Sequence, residues 1–315
     1  MKAVKQTTLR RRACISGAGV HSNAPVKLTL HPAEADHGIV FLRTGLPGGE
    51  NRVIEAIWSQ VTMTELCTVI GDSSEGSVAT IEHLMSALSG LGVDNVLLEI
   101  DGPEVPIMDG SALRFVEAID EVGIVEISAQ RRFLKILKPV RIDMGSGFSE
   151  LRPAPSGFHL NVEIDFSAGI IGRQSTSIDL TPAVFRREIS RARTFGFIRD
   201  VERLWKAGFA LGSSLENSVA LDDDKVINPE GLRYSDEFVR HKTLDAIGDL
   251  ALAGLPIVGA YRSYCGGHKM NVAVLEALFS DGTAYDVIEG QRNWVSGRQA
   301  QAAWAGAAAL APDVN

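Results

Sequence analysis

A histidine and two aspartates recur at four-residue intervals in the segment RHKTLDAIGD (240–249). On a helix, His241 and Asp245 share one face, and Asp249 follows four residues later near that face. An imidazole and a carboxylate at this spacing can bind one metal ion, but a catalytic zinc usually takes three protein ligands and keeps a fourth position for water. Taken alone, the pattern is more typical of a solvated helix with side-chain hydrogen bonds.

A glutamate directly before a histidine marks the segment TIEHLM (80–85), which has apolar neighbours typical of a helix. If the two halves of the chain face each other, His83 completes a set of two histidines and one aspartate. Glu82 would then lie beside a water molecule whose pKa a metal lowers toward ~7, where a carboxylate can take its proton. The alternative is a surface glutamate and a half-buried histidine that bonds to backbone.

A third histidine, His268, follows the glycine turn in YCGGHK (264–269). Asp249 could accept a hydrogen bond from its ring, which would raise the pKa of the imidazole and keep it protonated. A cationic histidine facing a polarised carbonyl can stabilise an oxyanion or protonate a leaving amine. The alternative is an ordinary loop histidine. The other histidines have no partner pattern and are interpreted as structural: His21, His31, His37 and His159.

The elements that must position these residues recur in the same order in the two halves. Helix, glycine, strand, turn and helix occur at 77–91, 95–100 and 111–122, and again at 236–252, 256–264 and 269–279. We interpret this as an internal duplication with its boundary near Ser128. It predicts an α+β fold of two related α/β-sandwich domains, 1–128 and 129–300, each a sheet packed on helices. The alternative is one mixed domain in which the order repeats by coincidence.

Capping signals predict where some of these helices begin and end. Thr80 is the expected N-cap of the first helix, and Gly92 is expected to close it. Thr181-Pro182 is an N-cap followed by proline at the first helical position, so a helix is expected near 182–191.

Residues 195–227 do not belong to the repeat and predict a small β-α-β insertion. The insertion is rich in apolar side chains for its size, and composition alone favours their packing into the main core. The alternative is an apolar wall for a long-chain substrate. The alanine-rich tail (301–315) is expected to be a frayed helix or disordered.

Composition excludes several classes of protein. The 315 residues are 45% hydrophobic and 22% charged, with a net charge of -8, which disfavours nucleic-acid binding. Three distant cysteines imply no disulfide framework and fit a reducing compartment. No secretory signal and no apolar run of ~20 residues occurs, so we expect a cytoplasmic protein without a transmembrane segment. No repeated apolar surface stripe stands out, which favours a monomer.

Several long motifs together resemble one family, the UDP-3-O-acyl-N-acetylglucosamine deacetylases, zinc enzymes of lipid A biosynthesis in Gram-negative bacteria. They span nearly the whole chain in the family's order. The matching segments are GVH (19–21), SVATIEHLMSAL (77–88), GVDNVLLEIDGPEVPIMDGSA (92–112), SRARTFGF (190–197), DEFVRHKTLDAIGDLALAG (236–254) and GH (267–268).

The resemblance implies a role for each matching residue. The implied zinc ligands are His83, His241 and Asp245. Glu82 would be the general base, and His268, oriented by Asp249, the protonated partner of the tetrahedral intermediate and the leaving amine. Further implied contacts are Thr194 to the oxyanion, Lys242 to a phosphate, Phe195 as a stacking surface, and Ile198, Val201 and Ala210 along the acyl chain.

The family's fold likewise has two related α+β domains, each with an insertion. Its second insertion forms a passage for the acyl chain, so the resemblance reverses the preference for core packing at 195–227. The implied substrate is the small molecule UDP-3-O-acyl-N-acetylglucosamine. The implied reaction is hydrolysis of its N-acetyl group to a free amine and acetate.

Two other functions remain open at this point. Two histidines and one carboxylate are also the facial triad of non-haem iron oxygenases, although Glu82 and His268 add a proton-transfer set that such a site does not need. Iron(II) could also occupy the site in cells while the chemistry stays hydrolytic. A non-catalytic carrier of acyl nucleotides is the second alternative, and the same proton-transfer set argues against it.

Overall fold

The computed structural model describes residues 4–223 and 225–290. The predicted alanine-rich tail (301–315) lies outside this range. Among the described residues, no helix is both long enough and apolar enough to cross a lipid bilayer.

The first half of the chain supplies ten strands and two helices. The strands are β1 (Lys5–Leu9), β2 (Ala13–Ala18), β3 (Pro25–Pro32), β4 (Ile39–Arg43), β5 (Arg52–Glu55), β6 (Val61–Met63), β7 (Val69–Asp72), β8 (Gly76–Val78), β9 (Val96–Ile100) and β10 (Ile124–Gln130). The helices are α1 (Glu82–Leu91) and α2 (Leu113–Val122), with short 3₁₀ turns at Pro47–Gly49 and Trp58–Gln60.

Five of these strands form the first large sheet, in the order β2-β3-β9-β4-β5. Only β4 and β9 run parallel, and the other neighbours are antiparallel. A small sheet of β6, β7 and β8 stands apart, and β1 pairs with β10. The expected domain boundary near Ser128 falls inside β10 and stays a prediction.

The described residues of the second half form ten more strands and four α-helices. The strands are β11 (Arg132–Ile136), β12 (Val140–Met144), β13 (Gly147–Arg152), β14 (Phe158–Asp165), β15 (Arg173–Asp179), β16 (Phe195–Phe197), β17 (Val219–Asp222), β18 (Lys225–Val226), β19 (Ile257–Tyr264) and β20 (Tyr285–Glu289). The helices are α3 (Pro182–Val184), α4 (Ile198–Lys206), α5 (Glu237–Leu250) and α6 (His268–Ser280).

The second large sheet repeats the arrangement of the first. Its strands run β12-β13-β19-β14-β15, again with a single parallel pair, β14 and β19, among antiparallel neighbours. Strands β11 and β20 extend it beside β19. The predicted α+β class is confirmed. Matching strand orders agree with a duplication, although common descent of the halves stays a prediction.

Helices α1 and α5 contact each other in the interior and carry the predicted metal-binding motifs. Nine of the ten residues of α1 and twelve of the fourteen of α5 are buried, as in helices that are covered on all sides. One continuous apolar cluster includes Leu98 of the first sheet, Leu88 and Leu250 of these helices, and Leu160 of the second sheet. The two sheets therefore share a core through α1 and α5.

The start of α1 differs from the sequence prediction. Its N-cap is Ile81, and Thr80 does not cap the helix, because its hydroxyl donates to Glu104 instead. Thr80 has φ 56°, a left-handed conformation that is strained for a β-branched residue. The predicted end at Gly92 is confirmed, with φ 76°.

The helix predicted near 182–191 begins as expected but changes type. The Thr181 hydroxyl accepts a hydrogen bond from the Val184 N–H, and Pro182 occupies the first turn. After α3 the chain widens into a π-helix at Phe185–Ile189, a form that occurs mostly as single turns.

The segment 195–227 folds as a strand, a helix and two strands. β16 and β17 pair in parallel, β17 and β18 antiparallel. No residue of α4 is buried, and Ile198, Trp205 and Leu211 are about half exposed. Composition alone favoured packing of these apolar side chains into the main core, but they lie on a surface.

Candidate metal centre and active site

Two imidazoles and one carboxylate from distant parts of the chain meet between α1 and α5. His83 lies in the first turn of α1, and His241 and Asp245 lie one turn apart on α5. One ligand atom from each residue lies within 4.8 Å of the others, and all three residues are buried. Such a donor set could hold a divalent cation and leave one position open, as in catalytic zinc sites.

One oxygen of Asp245 supports a cation at this point. Its Oδ1 is buried and makes no hydrogen bond of ordinary geometry with the described residues, although Nε2 of His241 and Nε2 of His83 approach it at 3.3 and 3.7 Å. Carboxylate oxygens are rarely buried without a partner, and a cation that binds between the imidazoles and this oxygen would satisfy it. The residues present therefore fit a metal.

The protonation states of the α5 residues also suit a metal site. Nδ1 of His241 donates to the Ala192 carbonyl at 3.1 Å, which leaves the lone pair of Nε2 for a metal. Burial lowers the pKa of His241 to about 3, so its ring is neutral. Burial opposes ionisation of Asp245, but the Lys242 ammonium, which donates to its Oδ2, holds the pKa of this carboxyl well below its usual value.

Glu82 stands at the start of α1, beside His83 of the possible metal site. It is 3% exposed, and its Oε2 accepts a hydrogen bond from the Thr68 backbone N–H at 3.1 Å. Burial is the main influence on this carboxyl and raises its pKa, while His268 and His83 oppose the shift. A carboxylate made more basic by burial is suited to take a proton near neutral pH.

His268 is the first residue of α6 and bridges two carboxylates. Its Nδ1 lies 2.8 Å from Asp249 Oδ2, and its Nε2 lies 3.9 Å from Glu82 Oε1. Burial alone would lower the pKa of His268, but the charge and hydrogen bond of Asp249, aided by Glu82 and Asp245, raise it to about 9. The ring is therefore cationic at neutral pH and can donate from Nε2 toward the site.

Lys242 forms an ion pair with Asp245, one of the residues of the possible metal site. Its Nζ donates to Asp245 Oδ2 at 2.7 Å, and 21% of the side chain is exposed. Burial alone would lower the pKa of Lys242, but Asp245 raises it, so the ammonium stays charged. Its expected contact with a substrate phosphate stays a prediction.

Thr194 and Phe195 are adjacent residues at the point where the insertion begins. The Thr194 N–H donates to the Gly110 carbonyl at 2.7 Å, and the ring of Phe195 lies edge-on to the His241 ring, 6.2 Å between centroids. Both residues are half-buried, and Phe195 contacts a residue of the possible metal site. Their expected roles toward a substrate stay predictions.

The three residues expected along an acyl chain differ in exposure. Ile198 is 44% exposed and Val201 is half-buried, both on α4, whereas Ala210 is only 9% exposed. The Ala210 N–H donates to Nδ1 of His21, so this residue is tied to the first half of the chain.

Sequence reasoning missed His21 as part of this region. Burial lowers the pKa of the His21 ring. The charge of Glu104 raises this pKa, and the positive charge of His268 lowers it further, so His21 and His268 interact electrostatically. The buried Glu104 carboxylate holds the loop through the His21 and Ser22 N–H groups. A Cβ at Gly19 would overlap this carboxylate, which explains the glycine in GVH.

Two buried partners of Asp249 were also missed. The Thr68 hydroxyl donates to Oδ1 at 2.6 Å, and the Asn271 amide donates to Oδ2 at 2.8 Å. Asn271 could have been found, because it lies three residues after His268 on the same helix face. Thr68 comes from a loop of the other half, and no local pattern pairs it with Asp249.

Comparison with known proteins gives one consistent result. The family model described as UDP-3-O-acyl N-acetylglycosamine deacetylase matches residues 6–280. Proteins named UDP-3-O-acyl-N-acetylglucosamine deacetylase from Brucella ovis and Brucella abortus are 52% identical over 285 residues, 90% of this chain and 98% of theirs. The protein of that name from Brucella melitensis is 51% identical over the same length.

Proposed function

This chain belongs to the UDP-3-O-acyl N-acetylglycosamine deacetylase family, and we propose that it removes the N-acetyl group of UDP-3-O-acyl-N-acetylglucosamine in lipid A biosynthesis. The products are the free 2-amine and acetate. One observation carries the proposal beyond family membership: the buried triad His83, His241 and Asp245 lies beside Glu82 and His268. Metal-dependent hydrolysis of an amide uses a cation, a base and an acid together. The triad would hold the cation, Glu82 would be the base and His268 the acid.

The proposed cofactor is zinc, held by His83, His241 and Asp245, with iron(II) as an alternative for the same ligands in cells. The unpartnered Oδ1 of Asp245 and the neutral ring of His241 support a cation there. When bound, the cation supplies Lewis acidity and lowers the pKa of a water molecule.

The chain's own residues would then move the protons. Glu82 accepts a proton from the attacking water, which its burial-raised pKa favours. Cationic His268, held by Asp249, faces the developing oxyanion and gives its Nε2 proton to the leaving amine. The Thr194 hydroxyl is proposed as a further donor, and one well-aimed donor of this kind contributes about 3 kcal/mol to the transition state.

The insertion is proposed to bind the acyl chain. Exposed Ile198, Trp205 and Leu211 and half-buried Val201 offer apolar surface near Ala210, and each buried methylene contributes about 0.8 kcal/mol. Binding energy gained away from the reacting carbon would favour acylated over bare UDP-sugars. Phe195 and Lys242 are proposed contacts to the sugar and the diphosphate.

The test is to incubate the purified, zinc-loaded protein with UDP-3-O-acyl-N-acetylglucosamine and to measure acetate, with and without a chelator. We expect acetate release that the chelator abolishes and that zinc restores. UDP-N-acetylglucosamine without the acyl chain is the matched control, and it should react far more slowly. Absence of acetate from the loaded protein would contradict the proposal. Oxygen consumption would favour an oxygenase, and binding without turnover a carrier.

A further inference from the structure

Thr68 is a fully buried residue that contacts the proposed catalytic groups of both halves. It follows Cys67 in the loop between β6 and β7, and none of its surface is exposed. Its carbonyl accepts a hydrogen bond from the Ile81 N–H at 3.4 Å, and its own N–H donates to Glu82. The backbone of Thr68 is thus attached to the start of α1.

The side chain of Thr68 bonds instead to α5. Its hydroxyl lies 2.6 Å from Asp249 Oδ1, and because an ionised carboxylate only accepts, the hydroxyl is the donor. The other oxygen, Oδ2, accepts from His268 and Asn271. With donors on both oxygens, the plane of the buried carboxylate is fixed, and so is the direction of its bond to His268.

The two carboxylates that Thr68 contacts lie on opposite sides of one ring. Asp249 lies at Nδ1 of His268, at 2.8 Å, and Glu82 lies toward Nε2, at 3.9 Å. The N–H and the hydroxyl of Thr68 therefore fix the positions of Glu82 and Asp249, the two carboxylates that face the two nitrogens of the His268 ring. None of these contacts requires Thr68 to touch a substrate or a metal.

We propose that Thr68 is a positioning residue. Its N–H and hydroxyl fix the relative positions of Glu82 and Asp249, so that the His268 ring points its Nε2 proton at the reacting atoms. The inference rests on the proposed function, since it assigns Thr68 a part in the same reaction. A purely structural threonine would contribute to stability and leave the reaction of the folded enzyme unchanged.

The hydroxyl can be tested with matched variants. Thr68→Val keeps the shape and the backbone N–H but removes the donor, whereas Thr68→Ser keeps the donor. We expect Thr68→Val to lower kcat at least about tenfold, as is common for residues that orient catalytic groups, with KM and bound zinc unchanged. Thr68→Ser should retain most of the activity. Thr68→Ala serves in place of Thr68→Val if valine does not fold.

A second measurement separates this inference from the proposed function. In proton NMR, the Nδ1–H of His268 in its bond to Asp249 should give a low-field resonance, assigned by its loss in His268→Gln. We expect Thr68→Val or Thr68→Ala to shift or broaden it and Thr68→Ser to leave it in place, whether or not acetate is released. A resonance unchanged in the valine and alanine variants, or equal kcat in Thr68→Val and wild type, would overturn the positioning role.

Discussion

His268 occupies an unfavourable place for a cation, and the pKa of its ring is nevertheless raised. It is the first residue of α6, where the helix dipole repels positive charge, and only 11% of its side chain is exposed. Asp249, itself without exposed surface, outweighs both effects because it is bonded directly to the ring. The ring therefore keeps its proton at neutral pH chiefly because of Asp249, with Glu82 and Asp245 adding to the effect.

The titration of His268 predicts a loss of activity at high pH. The pKa of about 9 means that the ring loses its proton as the pH rises through this value, and a bound cation moves the loss to lower pH by repulsion. We expect kcat to fall on the alkaline side at or below about pH 9. The His268→Gln variant should be much slower and lack this limb. If kcat of His268→Gln fell at the same alkaline pH as kcat of the wild type, the fall would belong to another group.

The same shift predicts a pH-dependent stability. The folded-state pKa of about 9 exceeds the ordinary value of 6.5, so the contribution of His268 is fully present below pH 6.5 and is lost as the pH rises through about 9. Chemical denaturation of the chelator-treated protein across this range should show a decline that His268→Gln reduces.

Glu82 should be separable from the metal ligands by mutation. Glu82→Gln keeps the shape but cannot accept a proton, so we expect kcat to fall by about a hundredfold or more while bound zinc stays near that of wild type. Asp245→Ala, the comparison variant, should lose zinc and activity together. Metal analysis and acetate release measure both. Near-normal turnover in Glu82→Gln would remove this residue from the role of base.

The residues that sequence reasoning found are those with a helical spacing or a specific motif. His241 and Asp245 are one turn apart, and Glu82 adjoins His83. The family resemblance placed these two motifs in one site. Thr68 could not be found in this way, because it contacts its partners only in the folded chain and lies in no quoted motif. Glu104 lies inside a quoted motif, but its contacts with the His21 loop and with Thr80 appear only in the fold. His21 was noticed as a motif, but its place beside Ala210 depends on how a loop of one half meets the insertion of the other.

The crossing of α1 and α5 depends on one glycine. A Cβ at Gly248, in the last turn of α5, would overlap the backbone carbonyl oxygen of Glu82 at the start of α1. Only glycine lets the two helices approach so closely. The distance between the proposed ligand of α1 and the proposed ligands of α5 is therefore set partly by the lack of a side chain at Gly248.

Gly248→Ala should separate the ligands without changing any of them. We expect the helices to move apart at this contact, with weaker zinc binding, lower activity and a lower Tm. Gly282→Ala, at a position where a Cβ would meet nothing within 4 Å, is the matched control and should behave like wild type. Zinc titration and thermal denaturation of both variants provide the test. Normal zinc affinity in Gly248→Ala would mean that backbone contact does not set the site.

Element boundaries were predicted best where one residue determines them. Gly92 ends α1 in a left-handed conformation, as expected of glycine. Thr80 was assigned wrongly as an N-cap, because the buried Glu104 competes for its hydroxyl and a tertiary contact overrode the local signal. The π-helix at Phe185–Ile189 has no comparable signal in the sequence.

At the scale of the whole molecule, the proposed ligands join the two halves. His83 comes from the first half and His241 and Asp245 from the second, so a cation would crosslink α1 and α5. Binding to the folded state alone stabilises it, by about 4 kcal/mol at a free metal concentration a thousand times the Kd.

Chelation should therefore lower the thermal stability of the zinc-loaded protein. We expect a clear drop in Tm on adding a chelator and recovery on adding excess zinc. His83→Ala, which lacks the ligand of the first half, is the control, and its Tm should respond little to either addition. Scanning calorimetry of both proteins makes the comparison. Equal responses would mean that the stabilising metal binds elsewhere.

The matching sheets have one more consequence, which concerns the short link between β10 and β11. A chain cut there at Arg131 gives two pieces: the first has the complete five-stranded sheet and α1, and the second has the complete seven-stranded sheet and α5. Neither piece has more than two of the three proposed ligands. Acetate release would then require the pieces to find each other, so the enzyme would work as a split reporter whose signal is their reassembly.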